Sequence, residues 1–516
     1  MSVLKIGGKG GYALGTVIIL AFISAVMVAA FLSLSLTEFK IVYSNNDSIA
    51  AFHIAEAGLA KGGRLLYEDF VNTPEGEDPS WLDTKFYFDE DVEAYEDAEG
   101  YTVISPVSYL PHFYVLQGTT AFGGGTYVIE IANIEGRDDM IWVRSTGTYR
   151  GKTRAVLSKF YIRNVNPWNN AIFAGAGLSG TVINGCVDIR GSVHILGEEG
   201  NDGPVMDMVG SAYIGNNYVG MRETLASKVP SIVKMVDGQP VETLDAQVRV
   251  GIGQISLNGF GTIGASMVSP EIKYTVDGTF VEGGFVGNQG VRNVYSDNGT
   301  SNPYDIRDDA FDGFPRITDP YEGYDSYMDY LRDNALVISD PVQLNDLTNI
   351  KRNSTFSYSS EKGEISMDGS GHMTISGIVV IEGDFGFAKD VKGDIEYTGS
   401  AAILATGNVT ILNDVVVGSG EMFPTTSIMG LMTPNTITFD RPQLEVQGVF
   451  YAQDTITSTK QTEVTGTFFA NYFDMGQEVP SIFQVPSVMD HLPGGMFGTT
   501  TVFSIAQSSF REVDAP

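Results

Sequence analysis

The hydrophobic pattern divides the chain into two unequal parts. From Tyr12 to Thr37 no residue is charged and most are apolar, and the preceding stretch 1–11 carries only Lys5 and Lys9. That run exceeds the roughly 20 residues that cross a bilayer. It is also longer than the apolar core of a secretory signal, about 7–15 residues. It predicts a membrane helix that is kept, and the flanking lysines put its N-terminus in the cytoplasm. Ile49, Phe52, Ala55, Leu59, Gly63 and Leu66 then recur every three or four residues. The helix is therefore expected to continue beyond the membrane with one apolar face.

After the helix the period changes. Residues 68–100 are rich in acids and aromatics and read as a solvent-facing connector. Residues 125–163 alternate apolar and polar positions around glycine turns, which predicts an antiparallel meander. From about residue 168 a six-residue rhythm begins, with Gly185, Gly191 and Gly197 closing short alternating stretches. It returns at Gly377 and Gly383, at Gly393 and Gly399, and in "GNVTILNDVVVGSG". The strongest repeat sets "EVQGVFYAQ" (Glu445–Gln453) against "EVTGTFFAN" (Glu463–Asn471), 18 residues on. Three six-residue sides per turn is the pattern of a parallel β-helix, whose coils share one core. Between Glu198 and Gly371 longer polar segments break the rhythm and are expected to project as insertions. Within them Tyr321, Tyr324, Tyr327 and Tyr330 stand three apart, as on one drifting face of a short helix packed on the coils.

The expected fold is mainly β: a long N-terminal transmembrane α-helix, a β-rich region, and an interrupted parallel β-helix of the right-handed type. The expected segments are a leader (1–11), the helix (12–70), the connector and meander (71–167), the β-helix (168–480) and a C-terminal tail (481–516).

Composition sharpens this picture. The 516 residues include 60 glycines, as short strands and tight turns require. Acidic residues outnumber basic ones 63 to 31, for a net charge of -32, which repels nucleic acid. Cys186 is the single cysteine, so no disulfide forms within the chain.

The short basic leader, the Gly11-Tyr12 junction, the uninterrupted apolar helix and the stretch "AAFHIAEAGLAKGG" together resemble the N-terminus of type IV pilin-like proteins, specifically PilX-like minor pilins. The resemblance covers about the first seventy residues. It implies that a prepilin peptidase cuts after Gly11, with Gly10 as the alternative, and leaves Tyr12 as the new N-terminus. It also implies major and other minor pilins as partners, with the chain in the bacterial inner membrane before assembly and on the pilus or cell surface afterwards. Most pilins carry a glutamate at the fifth mature position; here Thr16 stands there. A missing carboxylate leaves a neighbour's terminal ammonium uncompensated, which favours a place at the filament tip. Glu56, beside the apolar stripe, is a candidate subunit contact or a solvated edge. "SIMGLMTPNTITF" and "PSIFQVPSVMDHLPGG" resemble exported portions attached to PilX-type N-termini in other bacterial proteins.

Candidate chemistry is sparse. The five histidines are scattered, and neither a nucleophile elbow nor a phosphate-binding loop occurs. Asp305, Asp308, Asp309 and Asp312 could offer oxygen ligands to calcium, although their spacing is not that of an EF-hand. No other cofactor is expected. The leading reading is a non-enzymatic filament subunit displaying a large head for adhesion, assembly initiation or capping, with a receptor or polysaccharide as its target. A membrane-tethered β-helix enzyme acting on polysaccharide is the alternative. Edge-to-edge polymerisation, as in bactofilins, is a third reading, against which the helix and the interruptions argue. A plain single-pass anchor for an exported domain fits the helical periodicity equally well.

Overall fold

The computed structural model describes residues 10–72, 113–134, 137–164, 166–175, 181–200, 203–236, 239–306, 313–390, 393–458, 460–476, 478–497 and 503–513. The chain forms two compact units, Met1–Arg163 with Ile505–Pro516, and Asn164–Ser504.

In the first unit a single α-helix, Gly10–Asn72, is followed by the strands β1 (Tyr114–Phe122), β2 (Gly125–Ile134), β3 (Arg137–Tyr149) and β4 (Lys152–Asn164). Consecutive strands pair antiparallel, as the alternation predicts. The fifth strand of this sheet, Phe503–Val513, comes from the far end of the chain. Ile129, Ile131, Ile141, Val143 and Val156 form one core with the helix. The helix meets them through Ala51, Ile54, Ala55, Leu59 and Leu66. Of the stripe read from sequence, Ala55, Leu59 and Leu66 are buried, but Ile49 is 55% exposed. The helix is rotated because small residues must face the sheet. A Cβ on Gly58 would lie 2.2 Å from Ser145 Oγ, and one on Gly147 would lie 2.3 Å from the Ala51 carbonyl oxygen. Close approach of the two backbones selects Ala51, Gly58 and Gly62 over larger neighbours.

The second unit is built mainly from parallel strands in three ladders, with antiparallel pairs between Val233–Val236 and Gln239–Glu242 and along Thr355–Ser360, Gly363–Asp368 and His372–Ile381. The six-residue spacing is the step from one ladder to the next: Ile183–Gly185, Asp188–Arg190 and Val193–Ile195 each join a different one. Gly185, Gly191 and Gly197 turn the corners with φ of 116°, 136° and 78°, values that favour glycine. The 18-residue repeat pairs in register, from Glu445 on Glu463 through Ala452 on Ala470.

The order of coils does not follow the chain. Ile172–Ala174 stacks on Phe468–Ala470, and Asp188–Arg190 stacks on Ser481–Phe483. The chain thus enters mid-stack, winds out to one end near Val294, crosses to the other end near Leu336, and winds back to where it began. Trp168 Nε1 donates to the Phe497 carbonyl at 2.7 Å across that closure.

Two expectations change here. Much of 198–371 is not insertion: Pro204–Met208, Tyr213–Gly215, Gln247–Val250, Gln254–Leu257, Thr262–Ile263 and Gly278–Val281 all belong to the ladders. The crossover itself lies on the coils, over an outward column in which Tyr451, Phe469, Phe173 and His194 make successive edge contacts at 5.0, 4.9 and 4.9 Å. Phe314 covers Tyr451 and Phe469, and the Tyr304 hydroxyl meets His194 Nε2 at 2.6 Å. Of the four tyrosines only Tyr327 and Tyr330 are helical, in Tyr327–Asn334; Tyr321 and Tyr324 pair as an isolated bridge before it. Their rings still cluster, and Tyr327 is buried in the core. The second expectation concerns the C-terminal tail (481–516), which is divided: Ser481–Phe483 completes a coil, and Phe503–Val513 joins the first sheet.

The repeat places two like charges side by side. Glu445 and Glu463 are direct partners on neighbouring coils, an arrangement that costs stability. Arg222 bridges them, with Nη1 at 2.7 Å from Glu445 Oε1 and Nε at 3.1 Å from Glu463 Oε2. The Thr224 hydroxyl also donates to Glu445 Oε2 at 2.8 Å. Arg222→Ala is expected to destabilise the unit by about 2 kcal/mol, since the pair is only partly screened by water. Adding Glu445→Gln should restore most of that loss in a double-mutant cycle of urea midpoints.

Candidate assembly helix

The N-terminal helix has two segments of different character. Over 51–66 it is docked on its own sheet; over 15–50 its large apolar side chains are exposed, and this part is long and apolar enough to cross a membrane by length and composition. At the 1.5 Å rise of an α-helix, about 20 residues fill the hydrocarbon core. A helix entering the core near Gly15 therefore leaves it in the mid-thirties, and 37–50 lies beyond.

That outer stretch reverses its polarity. Going back along the helix from the docked face, the same face carries Thr37, Lys40, Ser44, Asp47 and Ser48. Asp47 lies 3.8 Å from Arg150 Nη1, and Arg154 Nε donates to Ser48 Oγ at 2.7 Å, so this side faces the sheet's own β3–β4 turn. The other side presents Phe39, Val42, Tyr43 and Ile49, each more than half exposed. The apolar stripe in the sequence begins at Ile49, so its periodicity carries no sign of this reversal. The signal lies in the helical phase of Ala51 and Ala55, which falls on polar residues throughout 37–48.

The residues singled out by sequence fall as follows. Gly11 and Tyr12 lie in the first turns of the helix, and Thr16 is exposed one turn further on. Glu56 Oε2 accepts a hydrogen bond from His53 Nδ1 at 2.7 Å, within its own helix. Asp305 Oδ1 accepts from Arg249 Nε at 2.9 Å, and the guanidinium also meets Gln247 and the Phe280 ring. Burial pushes the Asp305 carboxyl up to about 7 and the Arg249 guanidinium down to about 10. A guanidinium beside the carboxylate competes with any cation there. Asp308, Asp309 and Asp312 lie outside the described residues. Among the described residues no group of three or more histidine, cysteine or acidic side chains is arranged to hold a metal ion.

No protein-family model and no curated protein matches the sequence. The fold is pilin-like: an exposed apolar N-terminal helix docked by its second half on the sheet of a β-rich unit. It is similar to the crystal structure of the competence-associated pilin ComZ from Thermus thermophilus, with a TM-score of 0.50 and 19% identity. The likeness spans 91% of this chain and 98% of that one.

Proposed function

We propose that this chain is a minor subunit of a type IV pilus-like filament, held first in the inner membrane by its N-terminal helix and then assembled with other pilins through it. The observation that carries this reading is the helix itself. Its docked half is held on the sheet of its own unit, while 15–50 leaves apolar side chains for lipid and then for neighbouring helices. The fold shared with a competence pilin supports it. Prepilin peptidase would cut after Gly11, freeing Tyr12. Thr16, in place of an acid, favours the tip, where no subunit ahead offers an ammonium to neutralise. The coiled unit would then be displayed for adhesion, initiation or capping.

Expression with and without a prepilin peptidase, followed by N-terminal sequencing of the purified chain, tests this. The expected mature chain begins at Tyr12 only when the peptidase is present. A chain beginning at Met1 under both conditions overturns the proposal.

A further inference from the structure

Asn216 follows the strand Tyr213–Gly215 and is fully buried. Its amide is held at every atom. Nδ2 donates to the Thr275 carbonyl and to Asp277 Oδ1, both at 2.8 Å. Oδ1 accepts from the backbone N–H groups of Ala246 at 2.8 Å and Leu244 at 3.1 Å, and from the Thr243 hydroxyl at 3.3 Å. Two backbone donors facing one atom identify it as the oxygen. The Leu244 N–H is shared with the Asn216 backbone carbonyl and the Thr243 hydroxyl with Asp245 Oδ1; backbone N–H groups aimed at a buried carbonyl oxygen are also what stabilises a tetrahedral oxyanion.

The same Asp277 Oδ1 lies 2.9 Å from Lys273 Nζ. An amine and a carboxamide thus share one carboxylate oxygen; the carboxamide is fully buried, while the Lys273 and Asp277 side chains are 22% and 25% exposed. Nζ is steadied by Asp297 Oδ2 at 2.8 Å, and the Lys273 backbone is pinned by the Asn217 side-chain amide at 2.9 Å. Burial raises the Asp277 carboxyl from its ordinary value, against the lowering effect of Lys273. A carboxyl so placed can take up and return a proton.

We propose that Lys273 and Asn216 become joined by an isopeptide bond that the folded chain forms on itself, with Asp277 as the proton carrier. The Lys273 ammonium passes a proton to Asp277. The free amine attacks Asn216 Cγ: the Nζ–Cγ bond forms and the carbonyl π pair moves onto Oδ1, under the Ala246, Leu244 and Thr243 donors. Asp277 gives its proton to Nδ2 and takes one from Nζ. The Oδ1 pair re-forms the carbonyl, the Cγ–Nδ2 bond breaks, and ammonia leaves with the bonding pair. It carries off the Asp277 proton as ammonium, which restores the carboxylate. Lysine ammonium and carboxamide have become amide and ammonium, with no oxidant, water or cofactor consumed.

The bond ties the segment after Tyr213–Gly215 to the loop before Gly278–Val281, across the Glu242–Ile272 parallel bridge. It would staple the coils at one end of the stack, where fewer neighbours hold them. Peptide mapping of the purified full chain decides the matter. The expected tryptic digest lacks cleavage after Lys273 and contains a branched peptide joining Lys273 to Asn216, lighter than its two parts by one ammonia. Lys273→Met and Asp277→Asn should each yield the linear peptides, with a melting midpoint lower by several degrees. Linear Asn216 and Lys273 peptides from the unmodified chain, or a link mapped to other residues, overturn the assignment whatever the variants do.

Discussion

Gly466→Ala should destabilise the coiled unit by about 3–5 kcal/mol, among the largest effects of any single methyl addition in this chain. Gly466 has φ of 142°, and a Cβ there would sit 1.8 Å from the carbonyl oxygen of Gly448, its partner on the next coil. Neither atom can give way. The Gly448 carbonyl belongs to the ladder, and a Cβ at Gly448 would itself lie 2.9 Å from the Met429 carbonyl oxygen. Relief requires the two best-matched coils to separate, with Phe450, Phe468 and Phe439 packed just beyond. Gly420→Ala is the control. Its φ is 87°, but nothing lies within 4 Å of the added carbon, so only backbone strain of about 1 kcal/mol is expected. Urea unfolding followed by tryptophan emission makes the comparison, because Trp168 is buried against Phe469 where the first and last coils meet. Equal midpoints for the two variants would show that steric conflict at the repeat glycine does not limit stability.

Arg144→Ala should cost the first unit about 3–5 kcal/mol at neutral pH, by stranding a buried carboxylate. Arg144 Nε lies 2.8 Å from Glu130 Oε2, with the side chains only 5% and 3% exposed, and the guanidinium rests 4.1 Å from the Phe113 ring centroid. Burial already raises the Glu130 carboxyl, and Arg144 partly offsets the rise. Without the arginine the carboxyl rises further, so the folded variant holds a proton that the unfolded chain releases above its ordinary range. Stability of the variant therefore falls as pH rises through that window and returns on acidification. The slope is at most about 1.4 kcal/mol per pH unit. Glu130→Leu with Arg144→Met should be near the parent at neutral pH, since a well-packed apolar pair replaces the ion pair. A pH-independent loss in Arg144→Ala would locate the defect in packing against Phe113 instead.

Much of the architecture was legible along the chain. The apolar run from Tyr12, the alternation over 125–163 and the 18-residue repeat each reflect neighbours close in sequence or stacked coil on coil. The candidate site was legible only in part. Periodicity found Ala55, Leu59 and Leu66, but not the rotation that brings Gly58 and Gly62 against the sheet, nor the reversal that turns Phe39 and Val42 away from it. Asp305 read as one acid among four, and its pairing with Arg249, which lies 56 residues away, is visible only in three dimensions.

By itself the sequence determined which residues point inward and where the chain turns, because side-chain alternation and glycine φ are local properties. The tertiary structure decided which edge meets which. Every coil presents the same row of backbone donors and acceptors above and below, so hydrogen bonding cannot specify the order of stacking. Matching of side-chain columns does so: Phe469 against Phe173, Ile482 against Ile189. That matching sets the first coil on the last and draws the crossover over the aromatic column. Phe503–Val513 likewise joins a sheet begun near residue 114, a pairing that no local pattern encodes.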